Sequence, residues 1–386
     1  MEEWKSYKLC EICDLIPGFA FKSADFGDYR TKAIKIGDIQ PPYVNRASMS
    51  GVNIEVYDKN KLSKFLVKRG DFVLAMTGAT IGKIGRYIDQ EPAYLNQRVL
   101  LFRPNGDVNP KFVYYSLLSP LFQQYVINHI DSETAQPNIS GRSVSGYEIA
   151  LPSRKEQDRI ALILSTIDDK IELNTRINHN LQEQARLSFE EWCSNCSDLK
   201  AIKELANNIL DYTPNPHSKV ILLNSSDVTE GRFDVIPYVD NVNLKGQFKK
   251  RFKKGDVLYS EIRPRNHHYA ICYFDSTDYI ASTRLMVIRR NPELVPSDAL
   301  LYQYLLRPQV LDEFTSKTES RSGTFPQGNY EDLSSSEVPY SSENGIIAKT
   351  LDDLYASIWS NLEENKRLES LRDTLLPLLM SGHFTC

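Results

Sequence analysis

The sequence predicts an α+β protein: two similar mixed α/β domains alternate with two long helices paired as an antiparallel coiled coil. Three observations carry that expectation. The chain has 386 residues, more than one domain of ~100–200 residues holds. Two heptad-patterned segments recur at an offset of 187 residues. The segments preceding them, 1–150 and 197–337, share a set of short β-rich runs.

Residues 1–150 form the first expected domain. Its landmarks return in the second, over 197–337. Lys68-Arg-Gly-Asp-Phe-Val-Leu recurs as Lys253-Lys-Gly-Asp-Val-Leu-Tyr, and Ala93-Tyr-Leu-Asn-Gln-Arg-Val-Leu is echoed by Asp278-Tyr-Ile-Ala-Ser-Thr-Arg-Leu. A helical Tyr114-Tyr-Ser-Leu-Leu-Ser-Pro returns as Tyr302-Gln-Tyr-Leu-Leu-Arg-Pro. Between these landmarks the domains differ almost completely, as expected of one scaffold carrying two surface chemistries.

The helical spacers are expected over 151–196 and 338–386. Pro152 aligns with Pro339, Ile160 with Ile347 and Leu164 with Leu351. Ser153 with Glu156 three residues on reads as a capping box, and Ser341 or Ser342 is available for the same role in the second copy. The heptad seam of the first helix is Ile160, Leu164, Ile167, Ile171, Asn174, Asn178, Leu181, Ala185, Ser188 and Trp192. That of the second is Ile347, Leu351, Leu354, Ile358, Asn361, Asn365, Leu368, Arg372, Leu375 and Leu379. Such a seam needs a partner helix, and a buried polar layer sets its register at a cost in stability. Both an antiparallel and a parallel pairing bring Asn174, Asn178, Asn361 and Asn365 together. The antiparallel one is the expectation adopted.

Composition narrows the function. Hydrophobic residues at 41% and charged residues at 25% fit a folded globular chain. The chain has no 18-residue apolar run, and Met-Glu-Glu-Trp-Lys lacks the marks of a signal peptide, so a cytoplasmic protein without membrane contact is expected. The six cysteines include Cys10/Cys13 and Cys193/Cys196 at half-zinc-site spacing, but they are not equivalent between the repeats, and no metal is expected.

The formal charge of −4 would disfavour a nucleic-acid binder, yet it is unevenly spread. The spacers carry 6 cations against 8 acids and 4 against 7, net −2 and −3, while the domains are at +2 and −1. Six cations fall within the twelve residues 244–255, among them Lys249, Lys250, Arg251, Lys253 and Lys254. Arg263, Arg265 and Asn266 follow, and Arg30 and Lys32 cluster in the first domain. Cations at this density can neutralise phosphates and release counterions. The loops Thr77-Gly-Ala-Thr-Ile-Gly-Lys and Thr134-Ala-Gln-Pro-Asn-Ile-Ser-Gly-Arg supply side chains able to read base edges. DNA-contact candidates are therefore Thr77, Thr80, Lys83, Gln97, Arg98, Gln136 and Asn138 in the first domain. Arg284 and Arg321 complete those in the second.

Catalytic motifs fall short. Gly78 to Lys83 has three residues between its glycines instead of the four of a phosphate loop, and Ile84 stands where Ser or Thr would bind Mg²⁺. His267 and His268 are adjacent and share no helix face, and there is no Gly-x-Ser-x-Gly elbow. Gln40-Pro-Pro-Tyr43 is similar to the Asn/Asp-Pro-Pro-Tyr motif of amino-methyltransferases, but no glycine-rich cofactor loop precedes it. It carries the alternative reading, an autonomous DNA adenine methyltransferase.

The run Leu151-Pro-Ser-Arg-Lys-Glu-Gln-Asp-Arg-Ile-Ala-Leu-Ile-Leu-Ser-Thr-Ile-Asp-Asp-Lys-Ile-Glu-Leu-Asn resembles the central helical region of type I restriction-modification specificity subunits. The Thr77 loop, Ala135-Gln-Pro-Asn-Ile and the domain–helix–domain–helix layout are similar as well. The second half departs from the pattern: its helix opens Glu343-Asn-Gly-Ile-Ile, and Glu261-Ile-Arg-Pro-Arg-Asn replaces the Gly-Ala-Thr loop. The resemblance implies a non-catalytic subunit with two target-recognition domains at opposite ends of the helix pair, each reading one half of a split, asymmetric site on double-stranded DNA. It implies two methyltransferase subunits and restriction/translocase subunits as partners. S-adenosylmethionine, ATP and Mg are then expected on those partners and none on this chain. A helix over 153–192 is about 60 Å long, about 17 base pairs as an upper bound, so half-sites about one helical turn apart are expected.

Overall fold

The computed structural model describes residues 4–130, 137–244, 246–321 and 326–382. The chain forms two compact units, one of Met1–Ile171 with Lys366–Cys386, the other of Glu172–Asn365. The division falls inside both long helices, Arg154–Ser194 and Gly345–Met380.

In the first unit the strand Lys5–Lys8 pairs antiparallel with Glu148–Leu151, tying the start of the domain to its end. A six-stranded sheet has the order Cys13–Pro17, Val99–Pro104, Phe72–Ala75, Ile84–Arg86, Tyr43–Val44 and Ile39–Gln40. A four-stranded sheet has the order Ser50–Val52, Phe26–Ile34, Ala93–Leu95 and Leu66–Val67, and its middle pair runs parallel with Tyr94 opposite Ala33. Helices Pro110–Leu118 and Pro120–Asn128 cover one face of the larger sheet, and Phe72, Phe102, Phe112 and Leu164 share its buried cluster.

The second unit repeats that plan. Asp198–Ala201 pairs with Glu337–Tyr340. One sheet runs Ala206–Asn208, Leu285–Arg290, Val257–Ser260 and Tyr269–Ile271; the other runs Val239–Asp240, Lys219–Leu223, Tyr279–Ser282 and Phe248–Lys250. Its parallel pair, Ile221 opposite Tyr279, matches that of the first unit. Helices Asp298–Leu305 and Pro308–Glu319 take the covering role.

The recurring Lys-x-Gly-Asp motif is a turn. Gly70 and Gly255 hold φ of 95° and 91°, a region open to glycine. The carboxylates of Asp71 and Asp256 accept from the backbone N–H of Lys68 and Lys253, both at 2.8 Å. The motif recurs because the fold needs it.

Both predicted helices form, and all ten seam positions of each are buried or half-buried. In the first unit Asp168 meets Arg372 at 3.2 Å; in the second Asn174 donates to Asn365 Oδ1 at 2.9 Å and Asn361 donates to Asn178 Oδ1 at 2.8 Å. Rising numbers on one helix meet falling numbers on the other, so the pairing is antiparallel. The starts differ from the sequence reading. Residues 151 and 338 belong to strands, and the helices open at Arg154 and Gly345. Ser341 Oγ accepts from Glu343 N at 3.1 Å in a turn ahead of the second helix, while Asn344 O takes the helical bond from Ala348 N at 2.9 Å. Neither Ser341 nor Ser342 is the cap.

Candidate nucleic-acid interface

In the first unit the strand Phe72–Ala75 leads into a loop whose turn, Gly78–Thr80, lies between Gly78 and Gly82 at φ 72° and 83°. An isolated bridge joins Thr77 to Asn138; Gly78 N donates to Pro137 O at 3.0 Å and Ile139 N to Met76 O at 2.9 Å. Met76 N in turn donates to Arg98 O at 2.9 Å. These bonds gather Thr77, Thr80, Arg98 and Asn138 from three distant stretches of sequence. Lys83, Gln97 and Arg98 are exposed, whereas Thr77 is buried with its hydroxyl unpartnered among the described residues. Gln136 lies outside the described residues. Arg30 and Lys32 stand apart, on the strand Phe26–Ile34 of the smaller sheet. Arg30 pairs with Glu91 at 2.9 Å, and that hydrogen bond holds the Glu91 carboxyl below its usual range.

In the second unit the same junction forms from different residues. Ile262 bridges Gln327, Gly328 N donates to Glu261 O at 2.8 Å, and Glu261 N donates to Arg284 O at 2.9 Å. Register therefore places Ile262 at the position of Thr77, Gln327 at that of Asn138 and Arg284 at that of Arg98. A cleft of about 800 Å³ opens here, lined among others by Asn224, Gln247, Arg263, His268, Arg284 and Gln327. Arg263 and His267 flank its turn Pro264–Asn266 in the left-handed region, at φ 50° and 53°. Non-glycine residues are uncommon there, and such strain concentrates at functional sites. Arg321 donates to Gln327 O at 2.6 Å and to Asp332 at 2.8 Å. Arg265 forks onto Glu319 at 2.6 and 2.7 Å, and Asn266 is exposed.

The basic run is divided within its strand, whose register against Tyr279–Ser282 shifts between Phe248 and Lys250. Lys249 faces out and Lys250 faces in, 3% exposed. The Lys250 ammonium donates to Thr283 O at 2.9 Å and Leu285 O at 2.7 Å and lies 3.8 Å from Glu261. Burial pushes its pKa down, and the Glu261 carboxylate opposes that shift. Lys250 thus leaves the predicted surface cluster, because the phase of a strand is invisible within a run of cations. Arg251 is half-buried and donates to Thr277 O at 3.1 Å; Lys253 and Lys254 are exposed.

Sequence reading missed Glu261 and Gln327 as members of this site. The signal available was Pro137-Asn138 returning as Pro326-Gln327. Gln40-Pro-Pro-Tyr43 is a hairpin: Ile39–Gln40 pairs with Tyr43–Val44, and Gln40 Oε1 accepts from Asn45 Nδ2 at 3.1 Å. Cys13 and Cys193 are buried, with thiols pushed up to about 12 by burial, and no group of three metal-ligating side chains occurs among the described residues. No helix among the described residues is long and apolar enough to cross a membrane.

Comparison with known proteins gives a consistent picture. The family described as "Type I restriction modification DNA specificity domain" matches residues 1–183 and 219–370. The chain is 34% identical over 163 residues to the HindI specificity subunit of Haemophilus influenzae, covering 42% of this chain and 35% of that one. It is 30% identical over 187 residues to the MjaVIII specificity subunit of Methanocaldococcus jannaschii, covering 47% and 43%. The matched stretches thus span less than half the length of these relatives. The crystal structure of a type I restriction-modification S subunit from M. genitalium shares the fold at TM-score 0.55 and 15% identity, over 97% of this chain and 96% of that one. With the family match spanning most of its length, the chain belongs to the DNA specificity subunits of type I restriction-modification systems.

Proposed function

We propose that the chain reads a bipartite, asymmetric site on double-stranded DNA, one half per domain, and scaffolds the methyltransferase and restriction/translocase subunits of the complex. The observation that carries this reading is the repeated loop junction. One backbone framework recurs in both units, with Thr77, Arg98 and Asn138 in the first and Ile262, Arg284 and Gln327 in the second. A shared framework with unlike side chains suits two readers of unlike half-sites. The exposed cations Lys83, Lys249, Lys253 and Lys254 suit phosphates, which fix position without reading sequence.

The long helices supply a docking surface in each unit. Leu162, Leu371 and Leu378 are exposed in the first, and Leu173, Ile177, Leu187 and Ile346 in the second. At ~100° per residue, those of each helix fall on one face, away from the buried seam. Exposed apolar side chains on the helices of both units suit a methyltransferase subunit on each. S-adenosylmethionine, ATP and Mg belong to the partners in this reading. A 41-residue helix, about 62 Å, is compatible with half-sites about one helical turn apart.

The test is a map of methylated adenines in DNA from cells carrying this chain with its methyltransferase partner. A split motif with one modified adenine per half, on opposite strands, is expected. A continuous motif, or methylation by the purified chain alone, would contradict the proposal.

A further inference from the structure

The second domain contains a polar chain that phosphate binding does not require. Arg284 is exposed, and its Nη1 donates to Gln327 Oε1. The amide is then fixed from its other end, Nε2 donating to Glu261 Oε2 at 2.6 Å. Glu261 Oε1 lies 3.8 Å from the Lys250 ammonium, which two backbone carbonyls also hold. The side chains of Lys250 and Glu261 are only 4% and 14% exposed. A carboxylate only accepts, so it must receive the amide N–H₂ of Gln327. That turns the amide oxygen toward Arg284 and sets the guanidinium fork.

We infer that Arg284 reads a guanine in the half-site taken by the second domain, with Gln327, Glu261 and Lys250 as positioning residues that hold its guanidinium for that purpose. The inference rests on the DNA-recognition reading proposed above. A rigid fork of donors matches the paired acceptors O6 and N7 on the major-groove edge of guanine. Phosphates need no such preparation; a solvated lysine such as Lys249 suffices. Burying an ammonium and a carboxylate is costly, and here it fixes one exposed arginine. The first domain strengthens the assignment. Register places Arg98 and Asn138 where Arg284 and Gln327 stand, and Arg98 adopts a φ of 68° there. Met76 occupies the position of Glu261, so the arginine and the amide recur without the charged brace.

The test is selection from a random-sequence duplex pool with the full-length chain in its complex, followed by binding measurements across a salt series. The unaltered chain should enrich a split motif. Arg284→Ala should lose preference at one guanine of one half-site, with discrimination there falling roughly 5- to 150-fold. Replacing that guanine by 7-deazaguanine, which lacks the N7 acceptor, should weaken the unaltered chain and leave the Arg284→Ala chain unchanged. Lys250→Met and the nearly isosteric Glu261→Gln should relax the same position with the salt dependence intact. Lys249→Ala should do the reverse, lowering the salt slope by about one with every base preference kept. The inference is overturned if Arg284→Ala weakens all sequences equally with a lower slope, which would mark a phosphate contact. It is overturned equally if Lys250→Met and Glu261→Gln both leave that position unrelaxed. No enriched motif with the unaltered chain would sink the DNA-recognition reading itself, and this inference with it.

Discussion

The two units close the same joint between domain and helix pair with different chemistry. In the first, the Tyr115 hydroxyl donates to Asp168 Oδ2 at 2.6 Å, and Arg372 donates to Oδ1 at 3.2 Å. At the 187-residue offset Asp168 corresponds to Tyr355, and there Gln303 Nε2 donates to the Tyr355 hydroxyl at 3.0 Å. Arg372 corresponds to Ala185 in the first helix, a buried seam residue. One joint is a charged cluster, in which Arg372 also donates to Asp373 at 2.9 Å, and the other a neutral pair. The difference teaches where stability is most exposed to mutation: a buried ion pair adds little over a neutral contact of the same shape, but removing Asp168 strands the buried Tyr115 hydroxyl and leaves Arg372 only the exposed Asp373.

The largest expected effect follows from that asymmetry. Asp168→Ala should cost the first unit about 2 kcal/mol, read as faster hydrogen exchange over the seam amides of 160–171. Rebuilding that joint on the other unit's pattern, Tyr115→Gln with Asp168→Tyr and Arg372→Ala, should recover most of the loss. A rebuilt joint no better than Asp168→Ala would refute the equivalence. Tyr355→Phe in the second unit should cost only about 1 kcal/mol, since it removes a single neutral acceptor.

The central asparagines sharpen the comparison within the second unit. Asn174 also donates to Glu364 at 2.7 Å, but its own Oδ1 is buried without a hydrogen-bond partner among the described residues. Asn174→Leu with Asn365→Leu should therefore raise the melting temperature by about 2–4 °C, while weakening the preference for one register. A lower melting temperature would contradict the view of this layer as a specificity device.

The smallest effect is chemical. Cys13 in the first unit and Cys193 and Cys272 in the second have thiols pushed up to about 12 by burial. At pH 8 the thiolate fraction is then about one in ten thousand, so all three should resist alkylation in the folded chain. Labelling along a urea series would report which unit opens first. Rapid labelling of any of the three without denaturant would place it outside its packed cluster.

Much of the fold was legible because it is periodic. The heptad seam places every third or fourth side chain on one face, and the central asparagines matched across the repeat announced a shared polar layer without fixing its direction. The Lys-x-Gly-Asp repeat was legible as a landmark, although its cause is a turn that only glycine enters easily. What escaped the sequence depends on phase and on distance. Lys250 sits in a run of cations, and only the local register shift of its strand decides that it faces inward. Gln327 and Glu261 are far apart in the chain and meet across a single isolated bridge. The second helix begins at Gly345, later than Ser341 and Ser342 suggested, because Ser341 closes a turn with Glu343 after the strand and Asn344 takes the first helical bond.

The central claim is that two domains on one framework read independent half-sites. The most direct measurement replaces residues 197–337 by the corresponding domain of a related specificity subunit and maps methylated adenines in cells carrying the partner methyltransferase. The account predicts that one half of the motif changes while the other half stays the same. A change in both halves, or in neither, would contradict it.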